Sequence, residues 1–188
     1  MPIINRIAEF HKDMSAWRQD IHAHPETAFE EHRTSAIVAD KLESFGVEVH
    51  KGLAGTGIVG TLSTGDGPII GLRADMDALH INELNDFDHK STHDGKMHAC
   101  GHDGHTTMLL GAARYLAETK RFKGTVRFIF QPAEENEGGG RKMVEDGLFE
   151  KLPVDNVFGM HNWPGMPLGA MAMTAGPQMA AVDRFTIT

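Results

Sequence analysis

Eight consecutive residues, His98-Ala99-Cys100-Gly101-His102-Asp103-Gly104-His105, hold three histidines, the only cysteine and an acid. A thiolate and imidazoles are the donors that borderline-soft divalent ions take, and glycines let the backbone turn closely round an ion. Cys100 and His102 lie two apart, a spacing that sends both side chains to one side of an extended or tightly turned segment. One pair does not complete a coordination sphere. Two later places offer further donors: Glu134-Glu135, directly after Pro132-Ala133, and His161. Adjacent side chains diverge, so one glutamate can bind metal while its neighbour faces water. Such a carboxylate can take a proton from attacking water and return it to a departing amine. The ion meanwhile stabilises negative charge on the attacked carbonyl oxygen.

Each signal alone has a plainer explanation. A Glu-Glu pair is most often solvated surface, a histidine after an apolar strand is most often a satisfied core residue, and a lone cysteine is most often a buried thiol. Asp75 and Asp77 can serve as caps or as partners of Arg73. Cys100 beside His102 or His105 also fits a cysteine nucleophile. A structural metal site in a non-enzymatic fragment is a third reading, although such sites are usually closed by four Cys or His ligands.

The elements that must carry these residues follow from periodicity. Ile7, Phe10, Met14, Trp17 and Ile21 predict a helix over 5–23, stopped by His24-Pro25. A second helix is expected over 30–45, capped by Gly46. Short strands are expected near 47–50 and 57–63, then a turn at 64–68. Residues 69–74 read as a central strand that delivers Asp75 and Asp77 at its C-terminal end, where sites gather in open α/β sheets. The polar stretch 81–97 is long for a structureless loop. Asp103 is placed as the cap of a helix over 104–118. A strand over 124–131 leads into Glu134-Glu135, a helix spans 139–150, and a strand over 156–160 ends at His161. Residues 169–174 and 183–188 also read as strands, and the chain stops inside the second pattern as though cut. The alternation predicts an α/β/α sandwich around a largely parallel sheet.

Composition narrows the classes. The chain is one domain long at 188 residues. Lys and Arg number 18 against 26 Asp and Glu, a net charge of −8 that argues against nucleic acid and anionic membranes. No apolar run reaches the roughly 18 residues of a membrane span, and the N-terminus lacks a signal-peptide order. A single cysteine fits a reducing, cytoplasmic setting.

In order along the chain, His22-Ala23-His24-Pro25-Glu26, Gly71-Leu72-Arg73-Ala74-Asp75-Met76-Asp77-Ala78-Leu79, Met97 to His105, Phe130-Gln131-Pro132-Ala133-Glu134-Glu135 and Phe158-Gly159-Met160-His161-Asn162-Trp163-Pro164-Gly165 resemble the successive motifs of metal-dependent amidohydrolases of the hippurate hydrolase type. N-acyl-amino-acid amidohydrolases and plant indole-acetyl-amino-acid hydrolases share that family, a branch of the zinc aminoacylase and carboxypeptidase superfamily. The resemblance implies a phosphorylase/hydrolase-like zinc-peptidase catalytic domain and two divalent ions, zinc, manganese or cobalt. It implies Cys100, His102, Glu135 and His161 as metal ligands, Glu134 as general base and Asp77 as a supporting acid. It implies an N-acyl-amino acid as substrate and a homodimer in the full-length form. Relatives of this type are about twice as long and insert a lid domain after a segment like 181–185. Residues 1–182 are therefore expected to be the N-terminal part of the catalytic domain and 183–188 the first strand of the lid. A final histidine ligand and the substrate-holding lid groups then lie outside this sequence, and the isolated chain is expected to be weakly active or inactive.

Overall fold

The computed structural model describes residues 4–179, 185 and 187. Two short helices, α1 (Asn5–Glu9) and α2 (His11–Ala23), replace the continuous N-terminal helix. The break is at Phe10, whose buried ring lies against the guanidinium groups of Arg6 and Arg114. Then come α3 (His32–Ser44), β1 (Glu48–Leu53), β2 (Gly57–Ser63), β3 (Ile69–Asp75) and α4 (His102–Thr119). β4 (Thr125–Gln131), α5 (Gly139–Glu145), α6 (Leu148–Lys151) and β5 (Asn156–Gly159) complete the order. The expected helix over 139–150 is split at Gly147, which has a φ of +90° that favours glycine. Residues 169–174 form no strand, contrary to expectation. Most of the expected strand over 183–188 lies outside the described residues.

The five strands run in the order β1-β2-β4-β3-β5. β3 pairs in parallel with both β4 and β5, but β1–β2 and β2–β4 are antiparallel. The sheet is thus mixed rather than largely parallel. The reason lies in the connections: β1 and β2 are joined by a tight turn, which forces antiparallel pairing, whereas α4 spans the crossover from β3 to β4.

Alternation along the central strands sets the layers. Ile58, Leu62, Val126, Phe128 and Phe130 point to one face and meet Val38, Leu42, Leu110 and Ala113 of α3 and α4. Val59 and Ile129, one residue out of phase, point to the other and meet Met143 of α5 and Leu148 of α6. The α/β/α sandwich read from the sequence is present, and the first of these cores fastens the strands to α4.

Candidate metal centre

Three parallel strand ends and one helix start converge. β3 ends in Asp75, with Asp77 two residues on, and both carboxylates are buried. β4 runs through Gln131 into Pro132-Ala133-Glu134-Glu135, and β5 runs into His161. Opposite them, α4 begins at His102. Gly101 occupies the cap position with a φ of +87°, and a Cβ there would lie 2.8 Å from Oδ1 of Asn162. Asp103, expected as the cap, instead lies in the first turn.

The residues singled out from the sequence come together. Cys100 Sγ is 3.3 Å from His161 Nε2. His102 Nε2 is 3.6 Å from Glu135 Oε1 and 3.9 Å from Glu134 Oε2. One donor atom each from Cys100, His102 and His161 lie within 4.8 Å of one another, and the same holds for His102, Glu134 and Glu135. His102 Nε2 and Glu135 Oε1 are both buried without a hydrogen-bond partner. Orphaned buried polar atoms are costly and call for an explanation. A cation between them satisfies both, and the S/N/O donor set suits a divalent transition ion. The residues present fit the metal the sequence implies.

A buried network fixes the donors. Asp77 Oδ1 accepts from His102 Nδ1 at 3.2 Å, which leaves Nε2 as the free donor, and Oδ2 accepts the Glu135 N–H at 3.0 Å. Asp75 Oδ1 accepts from His105 Nδ1 at 2.6 Å and Oδ2 from Arg73 at 2.7 Å. His105 Nε2 in turn accepts the Asn162 N–H at 3.0 Å, tying α4 to the segment that carries His161.

The charges follow. Burial alone would raise Asp75, but the His105 hydrogen bond and the charge of Arg73 hold it well below the usual carboxylate range. His102 is pulled down by burial, yet its bond to Asp77 and the charges of Asp75, Asp77 and Glu135 leave it raised. Burial and the charges of Glu135, Glu134 and Asp75 push the Cys100 thiol up to about 12. Partial burial and the Glu135 charge raise Glu134.

Three further buried groups lie around the centre. His22 is buried and bridges Asp103 Oδ2 at 2.9 Å and Glu83 Oε1 at 3.0 Å, pinning the polar stretch 81–97 to α4. His98 is buried with neither ring nitrogen hydrogen-bonded, and burial lowers it to about 4. Glu31 is fully buried and was not singled out at all. His22 belongs to a quoted motif and so carried a signal; Glu31 carried none, since a glutamate in an acidic helix start looks like surface.

Residues 71–187, more than half of the chain, match Peptidase family M20/M25/M40. The chain belongs to that family. Among family relatives it is 46% identical to hippurate hydrolase of Campylobacter jejuni over 188 residues, which is all of this chain and 49% of the relative. It is 42% identical over 184 residues to N-acyl-L-amino acid amidohydrolase of Geobacillus stearothermophilus, covering 96% of this chain and 49% of that one. A solved Bacillus subtilis structure, described as a dinuclear metal-binding peptidase of the M20 family, superposes with a TM-score of 0.81 at 42% identity. That match covers 86% of this chain and 46% of the other. The expected kinship with hippurate hydrolases and N-acyl-amino-acid amidohydrolases is therefore borne out. The chain spans about half the length of the relatives it matches.

Proposed function

We propose that this chain carries the centre of a metal-dependent amidohydrolase that cleaves the amide bond of N-acyl-amino acids of the hippurate kind. The observation that carries this is the convergence of Cys100, His102, Glu135 and His161, with two of their donor atoms buried and unpaired. These four residues would hold two divalent ions, zinc, manganese or cobalt. When bound, the ions supply Lewis acidity towards the amide carbonyl and make water easier to deprotonate.

Glu134 is the group left to move the proton. It is exposed to solvent beside the cluster, and its raised pKa brings it nearer the operating pH of a general base. It takes a proton from the attacking water and delivers it to the departing amino-acid nitrogen. Asp77 keeps the His102 ring and the Glu135 backbone aligned while this happens. A cysteine-nucleophile mechanism needs a lowered thiol pKa; the carboxylates round Cys100 push it the other way.

On this reading residues 1–182 are the N-terminal part of the catalytic domain and 183–188 open a lid domain. The whole protein acts as a cytoplasmic homodimer; the single cysteine supports the compartment. Among the described residues no helix is long and apolar enough to cross a membrane. Replacing Glu134 by Gln in the whole protein should leave metal content intact and lower hippurate turnover roughly 10²- to 10⁴-fold. Retained turnover overturns the role of Glu134. Robust hydrolysis by the 188 residues alone overturns the domain assignment.

A further inference from the structure

Four described non-glycine residues have a left-handed backbone: Phe29 (φ +60°), Ala54 (φ +51°), Lys120 (φ +47°) and Ala133 (φ +51°). That conformation is unfavourable for a residue with a Cβ, so each needs something to hold it. Lys120 ends α4. The other three surround one carboxylate, Glu31. Its Oε1 accepts the Phe29 N–H at 3.1 Å and the Ala133 N–H at 2.9 Å. Its Oε2 accepts the Thr56 hydroxyl at 2.6 Å, and the Thr56 N–H bonds the Ala54 carbonyl at 3.0 Å. Three loops far apart in sequence are thus clipped to one buried side chain.

One of these loops bears the chemistry. Ala133 is fully buried and directly precedes Glu134-Glu135. Its carbonyl accepts the Gly139 N–H at 2.9 Å, which closes the loop behind the two glutamates. On the far side the Glu135 N–H is held by Asp77 at 3.0 Å. The pair is gripped at both ends, by Glu31 before it and Asp77 after it. We infer that Glu31 is a positioning residue: by holding Ala133 in its left-handed turn it aims Glu134 and Glu135 at the centre. This rests on the roles proposed above for those two glutamates.

Two measurements test it. In the unaltered chain the Ala133 amide should exchange with solvent at least about a hundredfold more slowly than a free amide, although it lies in no helix or strand. Fast exchange overturns the inference without any variant. Zinc affinity by chelator competition supplies the second. Glu31→Ala should weaken zinc roughly 10- to 100-fold, as loss of an orienting partner does. Glu31→Gln keeps an oxygen for both backbone donors and should stay within about threefold. In the Glu31→Ala background, Ala133→Gly should recover part of the loss, because glycine adopts this φ freely. A general loss of stability would appear in the melting of the metal-free protein. Equal losses for Glu31→Ala and Glu31→Gln, or no recovery by Ala133→Gly, overturn the inference. Should Glu31→Ala fail to fold, the Ala133 exchange rate and Glu31→Gln decide. Glu135→Gln separates the two layers. If it leaves zinc affinity unchanged, the metal reading fails; if it weakens zinc while Glu31→Ala does not, only the role of Glu31 falls.

Discussion

Zinc binding should drive a proton off Cys100. The thiol is raised from an ordinary 9.0 to about 12 because it is partly buried and faces Glu135, Glu134 and Asp75. At pH 7.5 it is protonated at either value, so thiolate ligation must release close to one proton per chain. Affinity then weakens about tenfold for each unit the pH falls. His102 steepens this slope. It is raised by its bond to Asp77 and by the nearby carboxylates despite its burial. As pH drops through that raised value a further proton must leave before the ring can ligate, and the slope rises above one. Calorimetric titration of zinc in buffers of different protonation enthalpy counts the protons at pH 7.5, and chelator competition from pH 6 to 8 gives the slope. Cys100→Ser should cut the release by about one proton and weaken binding, since a serine hydroxyl stays protonated when the ion binds. A release below about 0.3 proton at pH 7.5, or one unchanged in Cys100→Ser, refutes thiolate ligation by Cys100.

Three further outcomes are expected. His105→Ala removes the tie between Asp75 and Asn162 and should weaken zinc roughly 10- to 100-fold; an unchanged affinity in chelator competition counts against a role for that tie. Gly101→Ala puts a Cβ at a φ of +87° and against Asn162, and should lower stability by about 1–2 kcal/mol in denaturant unfolding. A neutral result would show that the helix start is free to shift. Asp103 gives a window in acid. Burial alone would raise it, but the His22 hydrogen bond and the charges of His98, Arg18 and His22 lower it from 3.8 to about 2. Its contribution, about 2 kcal/mol, is present above pH 4 and is lost as the pH falls through that range. Unfolding curves of Asp103→Asn should lack this loss.

The site residues were legible because their chemistry is rare. A cysteine and histidines in a glycine-rich turn, a glutamate pair after Pro132-Ala133 and a histidine after an apolar strand have few common uses together, and the strand ends bring their donor atoms close to one another. What positions them was harder to see. Glu31 makes its contact with Ala133 across 102 residues of sequence, and no periodicity reports a bond of that kind. Asp103 sits next to Gly101-His102 and looks like a cap, yet His22 and Arg18 of α2 both bond its Oδ2. Local preference gave way to tertiary hydrogen bonding. The mixed sheet was missed for a related reason. A run such as Val126 to Phe130, apolar but for Arg127, marks a buried strand but says nothing of its direction.

X-ray absorption of the zinc-loaded chain tests the central claim most directly. The shell should contain a sulfur at about 2.3 Å and nitrogen or oxygen donors near 2.0–2.1 Å. The sulfur should vanish in Cys100→Ser, and the spectrum should stay unchanged in Glu134→Gln. A shell without sulfur, or one that changes when Glu134 is altered, contradicts the division of labour between the ligands and the free glutamate.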